Sequence, residues 1–373
     1  MGSEYKEIKI LVTGGHHTTA LALMQSLGKE FKSRGYGLSV FWVGHRYSMR
    51  GDRNESLEYK EITSLGIPFF ELNTPKFYRH SIISTFAKLS VGVIRALSIV
   101  IKVRPQLVVS FGGYLAVPTV LAAWALSTPS VTHEQTASAG FANRFISRFC
   151  RKVYVSFASS LRYFPKRKTV LTGNPLREEI FIDQGLFKFN NKKRTIYVTG
   201  GKQGAHRMNL LVRESLPQLL EKYNVIHQCG SVSLHEDYEE LCKYRHSLPQ
   251  PLKESYEIRQ HVNFSEIGSA FARADFVVSR AGANIVCELA QLKKRAVLIP
   301  LPGSSHGEQE RNAKLLEDTG LGLVLPESKA NTDTLMLSLE NVSIRPISTE
   351  FISQEFPPEA GVALAKDIAS LLL

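Results

Sequence analysis

The chain has 373 residues, enough for two domains with separate cores, and its composition (43% hydrophobic, 21% charged) is that of a folded globular protein, which excludes a disordered one. Four widely spaced cysteines, Cys150, Cys229, Cys242 and Cys287, form no CxxC pair, so no zinc site or disulfide framework follows, and a reducing compartment fits. The net charge of +12 is concentrated: residues 72–177 hold 15 Lys and Arg against one acid, Glu134, which gives that stretch +14 and the rest −2, an asymmetry that points to an anionic partner.

The opening residues, Met1-Gly2-Ser3-Glu4-Tyr5-Lys6, mix charges ahead of a strand and do not read as a signal peptide. Residues 8–12 read as a buried first strand, 13–19 as a turn containing Gly14 and Gly15, and 20–31 as a helix. A strand is expected at 38–43, a polar loop at 46–59, a short strand at 69–73 and a basic apolar segment at 77–103. The strand at 105–110 ends in Phe111-Gly112-Gly113-Tyr114, and a helix follows at 118–126. Residues 130–132 form a short strand leading into His133-Glu134-Gln135. After a helix at 141–150 and strands at 152–156 and 170–172 comes Gly173-Asn174-Pro175-Leu176-Arg177. The polar run 190–193 closes a linker.

The second half restarts the alternation. A strand at 195–199 enters the turn Gly200-Gly201-Lys202-Gln203-Gly204-Ala205, followed by a helix at 209–223 and a strand at 225–229. Helices are expected at 238–246 and 267–274. The apolar run Val277-Val278-Ser279 then meets the turn Arg280-Ala281-Gly282, and a helix opens at Ala283 with Glu288 in its second turn. A strand at 296–300, helices at 309–318 and 334–339, and an amphipathic tail helix at 359–373 complete the chain.

Two halves that each begin strand, glycine turn, helix predict an α/β protein with two Rossmann-like, doubly wound domains facing a central cleft. The expected boundaries are 1–180, 181–345 and a tail at 346–373 that packs back on the first domain. No transmembrane helix is expected, because the longest apolar run, 89–103, is broken by Arg95 and Lys102.

Several motifs carry chemistry. A glycine turn before a helix leaves backbone N–H groups and the positive helix end facing one point, which suits phosphate oxygen. The turns at 13–16, 200–205 and 280–283 all have this form, although each alone also reads as an ordinary tight turn. Lys202 adds a cation to the second. His16 is a candidate proton acceptor, since imidazole titrates near neutrality, with His17 beside it. Glu134 either polarises His133 or forms a structural ion pair. Gln309 and Asn312 are surface amides or ligands of sugar hydroxyls. Lys88, Arg95 and Lys102 recur every seven residues on one helix face, the pattern of a helix resting on an anionic bilayer, where each basic residue adds about 1 kcal/mol. A core-packed helix with a solvated basic stripe is the alternative.

Taken together and in order, the first Gly-Gly-His turn, Phe111-Gly112-Gly113-Tyr114, His133-Glu134-Gln135, Gly173 to Arg177, the Gly200 turn, Arg280-Ala281-Gly282-Ala283 with Glu288, and Gln309 to Asn312 resemble the MurG family, the bacterial peptidoglycan N-acetylglucosaminyltransferases of glycosyltransferase family 28. That resemblance implies a GT-B fold and an inverting transfer of N-acetylglucosamine from UDP-GlcNAc to the lipid-linked MurNAc-pentapeptide, lipid I, giving lipid II. It assigns ribose to Glu288, uracil to the backbone near Phe264, and the diphosphate to Gly201, Lys202, Gln203, Ala283, Asn284, Ile285 and Val286, beside Cys287. Gln309 and Asn312 would read the sugar. Thr13, Gly14, Gly15, Thr136 and Arg177 would join the donor site, with His16 and Glu134 as catalytic candidates and Lys88, Arg95 and Lys102 on the membrane.

The chain departs from the family pattern at Val12, Thr136, Lys202 and residues 284–287. The expected partners are a UDP-sugar donor, a polyprenyl-diphosphate lipid acceptor and an anionic membrane surface at the cytoplasmic face, with no nucleic acid. No cofactor is expected to be required and no divalent metal to be obligatory, since no Asp-x-Asp pair is present. Two alternatives remain: a transferase acting on diacylglycerol or another polyprenyl-diphosphate lipid, and a nonenzymatic membrane or nucleic-acid binder on the same fold.

Overall fold

The structure, a computed structural model, describes residues 6–47, 55–72, 82–230, 236–304 and 307–373, with only the backbone over 82–89. Residues 77–81 of the basic apolar segment and the side chain of Lys88 therefore lie outside the described residues. The chain divides into two compact units, residues 1–177 with 357–373, and residues 178–356.

The first unit is a seven-stranded sheet in which every pairing is parallel. Its elements are β1 (Lys6–Thr13), α1 (His17–Ser33), β2 (Tyr36–Gly44), α2 (Leu57–Ser64), β3 (Phe69–Glu71), α3 (Ile82–Val103), β4 (Leu107–Ser110), α4 (Ala116–Ala125), β5 (Ser130–Glu134), α5 (Phe141–Ile146), β6 (Lys152–Val155) and β7 (Thr169–Leu171). The strand order is β3-β2-β1-β4-β5-β6-β7. Helices on both faces explain why the central strands are continuous apolar runs: Ile10, Leu11 and Val12 of β1 and Leu107, Val108 and Val109 of β4 are buried.

The polar run 46–59 is not all loop. Ser56 caps α2 by accepting from the backbone N–H of Tyr59 at 3.1 Å. Only Ile62 of α2 is buried, so the helix shows little apolar period in the sequence.

The second unit contains β8 (Arg194–Thr199), α6 (His206–Lys222), β9 (Tyr223–Gln228), α7 (Asp237–Ser247), α8 (Gln250–Lys253), β10 (Tyr256–Arg259), α9 (Phe264–Arg273), β11 (Phe276–Ser279), α10 (Ala283–Gln291), β12 (Arg295–Leu298), α11 (Glu308–Asp318), β13 (Gly322–Val324), α12 (Thr332–Ile344) and α13 (Thr349–Glu355). Its six parallel strands run β10-β9-β8-β11-β12-β13.

The last helix, α14 (Ala360–Leu372), belongs to the first unit. Its Leu364, Ala365, Ile368 and Ala369 enter the same core as Leu23, Leu27 and Phe31 of α1. Burying a Leu or Ile fully contributes about 1.5–3 kcal/mol each, so this helix is integral to that unit's core. Lys152 reaches Asp367 at 2.7 Å, and Tyr154 donates its hydroxyl to the same carboxylate at 2.7 Å. The expected tail of 346–373 thus divides: α13 stays with the second unit, and the return begins at Pro357.

Candidate active site

In each sheet the first strand lies inside and the chain winds outward to both sides. Open α/β sheets bind ligands at that switch, beyond the carboxyl ends of the strands. The switch lies between β1 and β4 in the first unit and between β8 and β11 in the second. All three glycine turns singled out above stand at these positions.

In the second unit Thr199 is register-paired with Ser279, so the turns that follow β8 and β11 emerge side by side. Both open helices directly. No side chain caps α6 or α10, and neither has an acid in its first turn. By contrast α9 carries a capping box in which the Asn263 N–H donates to Glu266 Oε2 at 2.9 Å, and α12 is capped by Asn331. At the switch, then, neither N-cap residue places a side chain over the helix start, an arrangement suited to an anion.

The turn after β8 is fixed from beneath. Gly204 has φ +85°, and a Cβ there would lie 2.1 Å from the carbonyl oxygen of Cys229, so only glycine fits. Gln228 donates to Gly201 O at 2.9 Å, while its Oε1 accepts from Tyr197 Oη at 3.0 Å and from the Val262 N–H at 3.1 Å. The Lys202 ammonium stands 4.9 Å from the ring centre of Phe264, the first residue of α9. Behind the turn, Asp237 bonds His206 Nδ1 at 2.6 Å and accepts from Asn209 Nδ2 at 2.7 Å. The Asn209 carbonyl meets His227 Nε2 at 3.1 Å. These braces escaped the sequence reading because they are single polar residues at strand ends and helix starts, with no period to mark them.

The second turn is stapled to its neighbours. Gln309 Oε1 accepts from the N–H groups of both Ala281 (3.3 Å) and Leu301 (2.9 Å), which fixes the amide so that Nε2 faces away from them. Arg280 donates to the carbonyls of Ile299 and Pro300 and pairs with Glu327. The motif containing Arg280 was legible, but its bracing function was not.

Three expectations are corrected here. Asn312 does not read a sugar from the surface: it is fully buried, and its Nδ2 donates to Ala281 O at 3.2 Å. Val286 and Cys287 are also buried, since they lie on the core face of α10, and burial raises the Cys287 thiol. Only their backbone belongs to the helix end. Asn284 and Ile285 are half-buried at its first turn, and Glu288 is 5% exposed.

In the first unit Gly14, at φ +131°, packs so closely on Phe111 that a Cβ would come within 2.7 Å of its carbonyl carbon. The turns after β1 and β4 are therefore held against each other, with the Phe111 N–H donating to Thr13 O at 2.7 Å. His16 follows at the start of α1, again without a side-chain cap. Crowding by protein, and then the charge of His17, push its imidazole down to about 4. His16 is nevertheless exposed, and water opposes that depression. His17 is tied instead to Glu61, with Nε2 3.1 Å from Oε2.

Glu134 differs from the expectation of a catalytic group. Its Oε1 accepts from the Thr136 N–H (3.1 Å) and hydroxyl (2.8 Å), and its Oε2 from the Gly140 N–H (3.0 Å) and Asn143 Nδ2 (3.0 Å). Burial raises its pKa, opposed by these bonds. Thr136 is consumed by the same network and by Ser138 O, so neither side chain is turned toward a ligand. The lone acid of the basic stretch is a framework element that organises the loop into α5.

His133 is likewise internal. Its Nε2 donates to Gly173 O at 3.0 Å and its Nδ1 accepts from Gln135 Nε2 at 3.2 Å. Burial lowers both His133 and His227 to about 4. The unfolded chain, with histidines near 6.5, binds protons more readily, so this stability is complete above pH 6.5 and is lost as pH falls from there toward 4. Each histidine should contribute a slope of about 1.4 kcal/mol per pH unit in that window. Urea midpoints should be level from pH 8 to 7 and fall below 6.5, whereas a flat profile down to pH 5 would show that neither ring is held neutral.

On the outside of the first unit, α3 buries Ala96, Ile99, Val100 and Val103 and exposes Val91, Ile94 (66%), Arg95, Ile101 and Lys102. Trp124 (60% exposed) and Phe141 (78%) add aromatic surface on α4 and α5. Among the described residues no helix is long and apolar enough to cross a membrane. No group of three metal-ligating side chains occurs among them either.

The model of the glycosyltransferase family 28 N-terminal domain matches residues 12–155, and that of the family's C-terminal domain matches residues 195–347. The chain belongs to glycosyltransferase family 28. All three glycine turns of this family 28 protein lie inside the matched spans. Among its relatives is the UDP-N-acetylglucosamine--N-acetylmuramyl-(pentapeptide) pyrophosphoryl-undecaprenol N-acetylglucosamine transferase of Clostridium perfringens, 34% identical over 350 residues and 90% of each chain. A Bacillus cereus protein of the same name, numbered 2, is 32% identical over 349 residues, 90% of this chain and 91% of its own. The crystal structure of Acinetobacter baumannii MurG superposes with a TM-score of 0.68 at 23% identity, covering 98% of this chain and 99% of that one, and the shared architecture is the GT-B fold.

Proposed function

We propose that this family 28 transferase moves N-acetylglucosamine from UDP-GlcNAc to an N-acetylmuramyl-pentapeptide pyrophosphoryl-undecaprenol, lipid I, to form lipid II. The observation that supports the donor half of this reading is the pair of helix starts side by side at the switch of the second sheet, neither capped by its N-cap side chain, with Gln309 bonded to the Ala281 turn. The backbone of Gly201, Gln203, Ala283, Asn284, Ile285 and Val286 and the Lys202 ammonium meet the diphosphate. Glu288 takes the ribose hydroxyls, and the backbone at Phe264 the uracil. Thr13, Gly14, Gly15 and Arg177 are assigned to the donor on the family resemblance alone.

Chemically, the step is a single displacement. His16 accepts the proton of the acceptor hydroxyl, whose oxygen bonds the anomeric carbon as the bond to UDP breaks, and configuration inverts. Negative charge accumulates on the departing diphosphate, where aligned N–H dipoles and Lys202 stabilise it without reorganisation. The outer face of the first unit, with Ile94, Ile101, Trp124 and Phe141 among Arg95, Lys102 and Arg144, rests peripherally on the anionic cytoplasmic leaflet, where the lipid acceptor resides.

Transfer from labelled UDP-GlcNAc to purified lipid I tests the proposal, with diacylglycerol and undecaprenyl diphosphate offered in parallel. Product on lipid I alone supports it, and product on either of the others alone overturns the acceptor assignment. Gln309→Glu separates sugar recognition from turn bracing, because a carboxylate still accepts from Ala281 and Leu301 but has no Nε2 to donate. The new charge should weaken UDP and UDP-GlcNAc alike through the diphosphate, and UDP-GlcNAc should lose about tenfold more than UDP, the size of one lost hydrogen bond. Equal weakening of UDP and UDP-GlcNAc would show that Gln309 does not contact the sugar.

A further inference from the structure

An open cavity of about 440 Å³ lies in the first unit beside β7, lined by Ala158, Ser159, Leu161, Arg162, Lys166 and Thr169. These residues come from two short 3₁₀ turns, Ala158–Tyr163 and Lys166–Lys168, and from the start of β7. The donor turns and the His16 turn contribute nothing to it.

The lining combines apolar walls with two cations. Among the described residues neither Arg162 nor Lys166 forms an ion pair with an acid. The one acid within residues 72–177, Glu134, already has both oxygens occupied by four donors. Two uncompensated positive charges over Ala158 and Leu161 match a ligand with one anionic group and an apolar remainder.

The cavity also joins the aromatic and basic face on α5. Arg162 stacks 5.0 Å from the ring centre of Tyr163, and Arg144 of α5 lies 5.9 Å from the same ring. Lys168 donates to Arg148 O at 3.1 Å and Cys150 O at 2.9 Å, which ties the second 3₁₀ turn to the end of α5. Phe141, the most exposed aromatic of this face, opens the same helix.

We infer that this cavity is a binding site for the phosphate headgroup of an acidic membrane phospholipid, with Arg162 and Lys166 holding the phosphodiester. The inference builds on the membrane face proposed above and deepens it. Diffuse attraction to a charged surface needs no cavity, whereas a lined site selects one lipid molecule and fixes how the first unit sits on the leaflet.

The test uses the full chain and dihexanoylphosphatidylglycerol, a short-chain lipid soluble as a monomer. Wild type and Arg95→Gln/Lys102→Gln should bind it saturably at one site, and dihexanoylphosphatidylcholine, whose choline cation offsets the same phosphodiester, should compete only weakly; equal affinity for the two lipids overturns the assignment to an acidic one. Arg162→Gln/Lys166→Gln should lose about thirtyfold in affinity, the sum expected for two basic contacts. UDP titration of that variant reports its folding. Undiminished binding in Arg162→Gln/Lys166→Gln overturns the site, and inorganic phosphate binding as tightly as the lipid overturns its assignment to a lipid. Failure of wild type to bind UDP would instead remove the donor reading and leave this result standing.

Discussion

Replacing His16 with Ala should lower kcat by about 10²–10⁴, the usual contribution of a positioned general base, and leave UDP affinity unchanged. The residue starts α1 at the switch of the first sheet, where the turns after β1 and β4 press together around Gly14. With its imidazole pushed below the usual histidine range, His16 is mainly neutral near pH 7 and can accept a proton. The acid limb of kcat/KM should therefore fall below 6.5, by less than full burial would give because His16 is exposed. His17→Ala removes a neighbouring positive charge that lowers His16, so it should move this limb upward. The same change frees Glu61 from its bond to His17 and should cost kcat much less than loss of His16, because His17 Nε2 is already committed to that carboxylate. Unaltered kcat in His16→Ala, with full loss in His17→Ala, would transfer the proton-accepting role one residue along.

The parts of this protein that were legible are those with local physical signatures. β1, β4, β8 and β11 are short apolar runs buried on both faces and closed by glycine, and such a run has few other readings. The turns that matter follow from them, because a glycine turn between a buried strand and a helix forces N–H groups into a small space. Edge elements were harder. β10 alternates buried and half-buried residues over four positions, β13 has three residues, and α2 buries one side chain, so none shows a full period.

Side-chain direction was the least legible property. Gln309 and Asn312 lie three apart, and both were assigned to sugar. One bridges two backbone amides at the turn, and the other faces inward beneath it. Glu134 looked catalytic because it is the only acid among many bases. That isolation instead reflects a buried carboxylate surrounded by donors from its own loop. Composition identifies such a residue as unusual, but only the fold assigns its partners.

Glu288→Gln should weaken UDP binding by about two orders of magnitude, as expected when two hydroxyls lose hydrogen bonds to a charged acceptor worth about 1.5–3 kcal/mol each. The substitution keeps the side-chain volume, which matters because Glu288 is only 5% exposed. A smaller residue would leave a void there and confound binding with stability. Ribose recognition is separated from general damage by the nucleotide itself. 2′-Deoxy-UDP lacks one of the hydroxyls, so its binding should change less between wild type and Glu288→Gln than that of UDP. The difference between the two losses measures the carboxylate–hydroxyl coupling directly. Equal losses for both nucleotides would mean that Glu288 supports the helix rather than the 2′-hydroxyl. Unchanged UDP affinity in a folded variant would remove Glu288 from the donor site and, with it, the reason for placing a ribose at the second turn of α10.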